Sequence, residues 1–324
     1  MQIFGDDIRF GLHSGPQNTT YDDYRDLWLR AEELGFDWVS DFDHFLPIHA
    51  DPTGPQFEGL TLLSALAAQT SRVRCGMLVL GVTYRHPAVV ANMAATIDHV
   101  SGGRLELGMG AAWYELEHDQ YGIPFPRIGV RMDMLDEACR IMRSMWTQET
   151  TTFEGKHFQL KDARMEPKPV QEHLPLVIGG SGERRTLRIV AEHADIWNSF
   201  YGDVDHYRHL LDVLAGHCSD VGRDPADVRK SLNFRAVLRD DEQDAWERLR
   251  ELYEGDPPER VLAMTIVGTP EQCVERLRPY ADLGVGDFLL ASLAPFDAQT
   301  VERVATEVAP ALKSAAATTG ARGS

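Results

Sequence analysis

Hydrophobic residues recur along the chain in two alternating patterns. Short apolar or alternating runs are typical of strands in a sheet, and longer stretches with apolar positions every three or four residues are typical of helices that cover it. Residues 8–13 alternate like a strand, and residues 21–34 have helical spacing. The whole pattern predicts strands over residues 8–13, 36–40, 73–80, 104–107, 176–178, 194–198, 230–238, 264–267 and 287–291.

Between these strands the pattern predicts helices and one insertion. The helices cover residues 21–34, 60–69, 88–100, 127–146, 183–193, 206–222, 244–253, 270–283 and 297–312, and a small hairpin covers residues 151–158. Strand and helix thus alternate without internal repeats, which predicts an α/β fold, a (β/α)8 TIM barrel with insertions, in a single domain over residues 1–313. We expect residues 314–324, which are small and polar, to form a disordered tail.

A doubly wound open sheet is the alternative arrangement of the same elements. Such sheets commonly carry a G-x-G-x-x-G fingerprint between the first strand and helix of the nucleotide site. Gly108-x-Gly110 begins in this way, but Trp113 stands where the third glycine is needed for close packing of helix on strand. No junction carries a convincing fingerprint, and we therefore favour the barrel.

Charge and composition narrow the partners. The chain of 324 residues has a net charge of −18, which repels nucleic acid and anionic membranes. It has no apolar run of about 18 residues and no signal-peptide pattern at its start. Its four cysteines form no C-x-x-C, so neither a metal site nor a disulfide framework is predicted. We expect a cytoplasmic protein with a small organic substrate, without nucleic-acid or membrane partners.

The strand predicted over residues 104–107 runs into an unusual segment. Residues 108–112 are small or flexible, and only such residues let a flat ligand lie close against the backbone. An aromatic wall and three titratable groups follow, namely Trp113, Tyr114, Glu115, Glu117 and His118. This combination predicts a binding site at the carboxyl end of a strand. The alternative is a tight turn followed by an exposed acidic helix start.

In a barrel, all strand–helix junctions of this kind fall on one rim. The junctions that carry polar or glycine-rich residues are His13, Asp43 with His44, and residues 79–87, 108–118, 179–182 and 197–198. His44 follows a strand, and an imidazole can donate or accept a proton near neutral pH. The alternative is that Asp43 and His44 only shape a turn.

A second candidate site is Gly179-Gly180-Ser181-Gly182, which precedes a helix containing Arg184 and Arg185. Free backbone N–H groups, a helix N-terminus and guanidinium groups together favour an anion. An acidic protein needs such a local cationic site to bind a phosphate. The alternative is an ordinary glycine-rich turn between a strand and a helix.

Together these segments resemble the luciferase-like flavin and deazaflavin oxidoreductases, over nearly the whole chain. The residues that carry the resemblance lie in segments 82–87, 101–118, 121–126, 179–182 and 194–198, and they are most similar to the branch assigned to the deazaflavin coenzyme F420. The resemblance implies a barrel that holds the coenzyme ring at its carboxyl rim. It also implies phosphate contacts near residues 179–181, a non-proline cis peptide near Leu78-Val79 that presses against the ring, and a homodimer, for which helix 87–100 is one candidate surface.

The resemblance also assigns roles. Asp43-His44 resembles the Asp-His pair of F420 enzymes, in which the histidine lies by the coenzyme and serves in proton transfer. The chain departs from the sugar-phosphate dehydrogenase members, which carry an acidic residue where this chain has Trp113. That departure leaves His44, Glu115, Glu117 and His118 as acid–base candidates, from which we select His44, Glu115 and His118. The residues predicted to bind the coenzyme are His13, Asp43, Leu78, Val79, Gly110, Ala111, Ala112, Trp113, Gly179, Gly180 and Ser181.

The function predicted on this basis is hydride transfer between F420 and an organic substrate. An FMN-dependent monooxygenase that uses reduced flavin and O₂ is the first alternative. A barrel that binds flavin without catalysing a reaction is the alternative from another class. We expect the substrate pocket to be walled by loop 45–59 and the insertion 119–175.

Overall fold

The computed structural model describes residues 7–320, with side chains as far as residue 315. Its strands alternate with helices from one end to the other. The strands are β1 Arg9–His13, β2 Trp38–Asp41, β3 Arg74–Gly81, β4 Leu105–Gly110, β5 Thr151–Glu154, β6 Gln159–Ala163, β7 Leu176–Gly179, β8 Ile196–Phe200, β9 Arg229–Leu238, β10 Thr265–Gly268 and β11 Val285–Ala291.

The helices follow the predicted order with two short additions, α4 and α9. They are α1 Tyr21–Glu33, α2 Gly59–Ala67, α3 Pro87–Ser101, α4 Glu115–Tyr121, α5 Ile128–Thr147, α6 Thr186–His193, α7 Val204–Val221, α8 Glu242–Leu252, α9 Glu259–Leu262, α10 Pro270–Asp282, α11 Ala298–Arg303 and α12 Ala309–Gly320. A π-helical turn, Val304–Val308, joins the last two. None of the helices within residues 7–320 has both the length and the apolar character needed to cross a bilayer.

Eight parallel strands close into a ring in the order β1, β2, β3, β4, β7, β8, β9, β11, with β11 pairing back to β1. Closure confirms the (β/α)8 barrel and excludes the open sheet. Inside the ring, Trp38, Val177, Ile196 and Leu289 pack into one buried cluster. A second, larger apolar layer lies between the strands and the surrounding helices.

One predicted strand lies outside this ring. β9 is ten residues long, and only its first part pairs with β8 and β11. Its last four residues, Arg235 to Leu238, pair with β10 instead. The strand β10 therefore extends β9 beyond the barrel rather than forming a ninth member of the ring.

The insertion between α5 and β7 contains the predicted hairpin, with β5 and β6 antiparallel. At the other end of the chain, α12 continues to Gly320, so residues 314–320 of the predicted tail are helical in this structure. Residues 321–324 lie outside the described residues.

The amino rim of the barrel is closed by buried ion pairs. Glu106, fully buried on β4, accepts hydrogen bonds from Arg9 at 2.7 Å and from Arg74 at 2.5 Å. Asp287 on β11 is bound by Arg9 and by Arg229, each at 2.7 Å. Burial alone would raise the pKa of Asp287, but the two guanidinium groups hold it below its usual value.

The side chain of Val79 on β3 explains why glycine occupies three positions on β4 and β7, the next two strands of the ring. A side chain at Gly108 would place its Cβ 2.1 Å from the carbonyl oxygen of Met77 and 2.9 Å from Val79 Cγ1. A Cβ added at Gly110 or Gly179 would have a methyl carbon of Val79 as its nearest atom, at 2.6 and 3.1 Å respectively. The three glycines thus form a recess for this side chain on the carboxyl half of the barrel.

We expect Gly108→Ala to destabilise the fold by about 3 kcal/mol or more, because the added carbon meets rigid backbone. The measurement is urea unfolding followed by circular dichroism. The matched control is Gly129→Ala in α5, where an added Cβ meets nothing within 4 Å. Removing a helical glycine should leave stability equal or raise it by about 0.5–1 kcal/mol. Equal midpoints for Gly108→Ala and wild type would contradict this account of the recess.

Candidate active site

His44 follows β2 on the carboxyl rim and is almost buried. Its Nδ1 lies 2.8 Å from Oε1 of Glu117 on α4. A carboxylate can only accept, so Nδ1 carries the proton of this hydrogen bond, and in the corresponding neutral tautomer Nε2 presents a lone pair. Within residues 7–320 the structure places no hydrogen-bond partner on Nε2. This nitrogen is therefore the one available to a ligand.

Glu117 is fully buried and holds several donors at once. Its Oε2 accepts from the backbone N–H of Phe45 at 2.8 Å, and the hydroxyl of Tyr84 donates to Oε1 in a short contact. Burial acts to raise the pKa of the Glu117 carboxyl, but the hydrogen bonds from His44, Tyr84 and Phe45 outweigh it and lower that pKa. Glu117 is thus an ionised carboxylate that fixes the His44 ring.

Glu117 is among the four acid–base candidates of the sequence, whereas the predicted catalytic residues besides His44 are Glu115 and His118. The structure separates them because residues 115–121 form the short helix α4 rather than a loop. Glu115 is exposed in the first turn, whereas Glu117 and His118 face inward. Helical spacing of three and four residues from Tyr114 was the signal that could have identified the inward pair.

His118 has no nitrogen left for a substrate. Its Nδ1 lies 2.7 Å from the carbonyl oxygen of Tyr114, and its Nε2 lies 2.7 Å from the hydroxyl of Thr83. The fully buried ring also stacks on Tyr84, with centroids 4.6 Å apart. These contacts give His118 a packing role, and a catalytic role for it stays a prediction. Its ring anchors α4 to the loop after β3.

Asp43 does not orient His44. Arg85 binds both of its carboxylate oxygens, at 2.8 and 2.9 Å, and the N–H of Gly81 donates to Oδ2 at 3.0 Å. The same guanidinium reaches Glu58 in a short contact. Asp43 thus ties the ends of β2 and β3 together, and sequence reasoning missed both its partner Arg85 and the second carboxylate on that guanidinium, Glu58.

The predicted floor and wall lie beside His44. The peptide Leu78-Val79 is cis, as the resemblance implies. Gly110 is covered by Val79 rather than open to a ligand, so the accessible part of the floor is Ala111 and Ala112, both half-exposed. Trp113 is 62% exposed and its ring lies 5.5 Å from that of His44, edge to face. The structure therefore places the predicted aromatic wall in contact with His44.

The glycine run after β7 is partly occupied by the protein itself. The N–H of Gly180 donates to the carbonyl of Asn198 at 3.0 Å, and the carbonyl of Gly180 accepts from the indole of Trp197 at 2.8 Å. The helix α6 begins at Thr186, three residues later than predicted. Arg185 forms an ion pair with Asp133, while Ser181 and Arg184 are exposed. An anion at this run would meet these last two residues.

Two further histidines stand at the rim beside Arg235. His13, at the end of β1, contacts Ser40 through Nδ1 at 2.9 Å. Burial, and then the charges of Arg235 and His49, lower the pKa of His13 to about 3. Burial and the same arginine lower the pKa of His49 to about 4. Both rings are therefore neutral at physiological pH.

A cavity of about 1050 Å³ opens in front of this group. His44 stands behind two of its walls, Trp113 and Tyr114. The other walls are loop 47–52, residues 235–237 of β9, parts of the segment 248–265 and loop 290–295. The first loop was predicted, but within the described chain the insertion 119–175 adds no lining residue. The extension formed by β9 and β10 lines the cavity where the sequence predicts the insertion.

Comparison with known proteins places this site in context. A model of the luciferase-like monooxygenase family matches residues 7–287. An F420-dependent glucose-6-phosphate dehydrogenase of Microbacterium testaceum is 30% identical over 94% of this chain and 98% of its own.

Solved structures show the same fold. The structure of an F420-dependent secondary alcohol dehydrogenase in complex with an F420-acetone adduct superposes with a TM-score of 0.83, at 22% identity, over 94% of this chain and 99% of the other. EDTA monooxygenase of Chelativorans superposes with a TM-score of 0.81, at 15% identity, over 95% and 94%.

Proposed function

The chain belongs to the luciferase-like monooxygenase family, and from this premise we propose that it is an oxidoreductase that transfers a hydride between coenzyme F420 and a small organic substrate. The names of its relatives support F420 as the coenzyme. The observation that carries the proposal is the free Nε2 of His44, held by Glu117 beside an aromatic wall.

The residues present fit such a coenzyme. Trp113 offers a large exposed ring face, and Ala111 and Ala112 leave room for a flat ring near the backbone. Ser181 and Arg184 are exposed after β7, the strand next to β4 in the ring, where they would hold a phosphate. When bound, the coenzyme supplies the carbon that takes or gives the hydride.

The residues of the chain would handle the proton that accompanies the hydride. His44 Nε2 would take a proton from a substrate hydroxyl, or return it to a carbonyl oxygen in the reverse direction. Glu117 would stabilise the imidazolium formed in this step and keep Nδ1 protonated. Trp113, Tyr114 and the cavity walls would limit the access of water.

The coenzyme assignment is tested by comparing F420 with FMN on the purified protein. We expect F420 to bind more tightly and to be reduced with an alcohol or sugar substrate. Turnover only with reduced FMN and O₂ would favour the monooxygenase instead. Tight binding without turnover over a broad substrate panel would favour a non-catalytic flavin-binding barrel.

A substitution at Ser181 tests the phosphate contact. Ser181→Asp places a negative charge on an exposed loop, so the fold should survive while the dissociation constant of F420 rises about fivefold to tenfold through repulsion. Gly180 is less suitable, because its φ of +116° would strain any other residue. Coenzyme fluorescence gives the measurement.

Gln148→Glu is the matched control for this substitution, because it adds the same charge at an exposed position just after α5. Helices of a barrel end on the amino side, away from the proposed site. Equal weakening by both variants would point to a general charge effect, and no weakening by Ser181→Asp would remove this loop from the coenzyme site.

The homodimer remains a prediction. The structure packs most of the apolar side chains of α3 within the chain, including Val90, Ala94 and Ile97. Val89 and Val100 remain exposed on the same helix. They support, at most, a small part of an interface along α3.

A further inference from the structure

We infer that the substrate carries an anionic group, a carboxylate, phosphate or sulfonate, and that Arg235 binds it with Arg260 and His49 alongside. The inference deepens the proposed function by naming the substrate class and rests on it for the reaction. The binding of the anion itself is independent of the coenzyme. It is argued from Arg235, from the charges around it and from its place in the cavity.

Arg235 is a half-buried arginine without a carboxylate partner in the described chain. Its Nη1 lies 3.3 Å from the hydroxyl of Tyr253, and its Nη2 lies 3.3 Å from Nε2 of His49. Both partners are neutral groups, and the contacts are long. Taking a charge out of water without an opposite charge is unfavourable, so this guanidinium is a site at which a bound anion would be stabilised.

Two other arginines that lie near Arg235 in the sequence are paired with carboxylates. Arg239, the residue after β9, binds Asp297 at 3.1 Å. Arg248 binds Glu251 at 3.0 Å. The chain has 50 acidic and 32 basic residues, so carboxylates are abundant. Arg235 is therefore distinguished from these arginines by having only neutral contacts.

The electrostatic surroundings of Arg235 are positive. The charged neighbours that depress the pKa of His49 are Arg235, His44 and Arg260, and those that depress the pKa of His13 are Arg235 and His49. Each of these groups is cationic when charged, and no carboxylate counteracts them at either ring. In a protein of net charge −18, this is the local cationic region that an anionic ligand requires.

The arrangement of the cavity directs this anion towards the candidate catalytic residue. Arg235, His49 and Arg260 line the same cavity as Trp113, and His44 lies behind Trp113. Acidic residues also line it, but Glu251 and Asp297 are paired with arginines, and Asp51 binds Thr53 at 2.7 Å. Glu254 is exposed at the edge. An anionic group on Arg235 would leave the rest of the substrate to extend towards His44.

The cationic region is also distinct from the proposed phosphate site of the coenzyme. In the ring order, β8 separates β7, which precedes the glycine run, from β9, which carries Arg235. Arg235 lies on the part of β9 that continues past the ring. The phosphate of the coenzyme and the anionic group of the substrate would therefore occupy different positions, as they must in order to bind together.

The test measures anion binding to the full protein by calorimetry, without coenzyme. The probes are inorganic phosphate, sulfate and succinate. We expect at least one probe to bind, and Arg235→Gln to weaken that binding at least about tenfold, because it removes a charge-assisted contact. Preference between succinate and phosphate tells a carboxylate from a phosphate substrate. Arg235→Lys should retain part of the affinity, and circular dichroism checks the fold of each variant.

Arg164→Gln is the matched control, because Arg164 is an exposed arginine in the insertion, which adds no residue to the lining of the cavity in the described chain. It should leave probe binding unchanged. Probe binding that is absent in wild type, or equal in wild type and Arg235→Gln, overturns the inference. If the probes bind through Arg235 but F420 supports no turnover, the proposed function fails while the anion site stands.

Discussion

Replacing His44 by alanine is expected to lower kcat at saturating coenzyme by at least about tenfold, and by up to about 10⁴-fold. The reason is that the two ring nitrogens differ, because Nδ1 is fixed by Glu117 and Nε2 is left free for the substrate. Removing the ring removes the group that is placed here to exchange a proton with the substrate, and water can replace it only in part. The measurement is steady-state turnover with F420, together with coenzyme titration.

Two variants distinguish proton transfer from mere contact. If His44 only touches the coenzyme, His44→Ala should weaken coenzyme binding and leave kcat unchanged at saturation. Glu117→Gln keeps the ring in place but removes the charge that stabilises the imidazolium, so the kcat pH profile should change while coenzyme affinity holds. Wild-type kcat and wild-type affinity in His44→Ala would refute both roles.

Replacing Glu106 by glutamine is expected to reduce the free energy of unfolding by about 3–5 kcal/mol. The substitution keeps the shape of the side chain but leaves Arg9 and Arg74 facing a neutral amide in a buried position. Unfolding in urea gives the measurement. The site lies at the opposite rim, so kcat of the folded fraction should remain near the wild-type value.

The matched control is Asp22→Asn, which breaks the ion pair of Asp22 with Arg25 at 2.8 Å. Asp22 is largely exposed on α1, and exposed pairs contribute at most about 1 kcal/mol. A loss in Glu106→Gln no larger than that in Asp22→Asn would show that the amino-rim cluster does not hold the barrel together.

The periodicity of the chain predicted the barrel because each strand and helix carries its own local pattern. A hairpin was also visible locally, since its turn residues lie within a short segment, but the prediction of residues 151–158 stopped before the second strand, Gln159–Ala163. The strand β10 was not placed correctly by such reasoning. Its apolar run matches that of a barrel strand, and only its pairing with the far end of β9 shows that it lies outside the ring.

The site was predictable to the level of its segments but not of its contacts. His44 was identified from its place after a strand, whereas its partner Glu117 is 73 positions away in the sequence. The neighbouring Asp43 was the obvious local candidate, yet it pairs with Arg85. Nor did residue type reveal that Thr83 occupies the second nitrogen of His118. Such long-range pairings depend on packing that no local pattern records.

The two halves of the long strand β9 have different roles in the structure. Its first half is constrained by pairing on both sides, so that changes there would disturb closure of the ring. Its second half pairs with β10 outside the ring and carries the cavity-lining residues from Arg235 to Val237. Substitutions in this second half can therefore change which molecules enter the cavity, while the residues proposed to handle the proton, after β2 and on α4, keep their geometry. The wall of the cavity formed by β9 and β10 can thus vary in sequence without a change in the barrel that carries the proposed site.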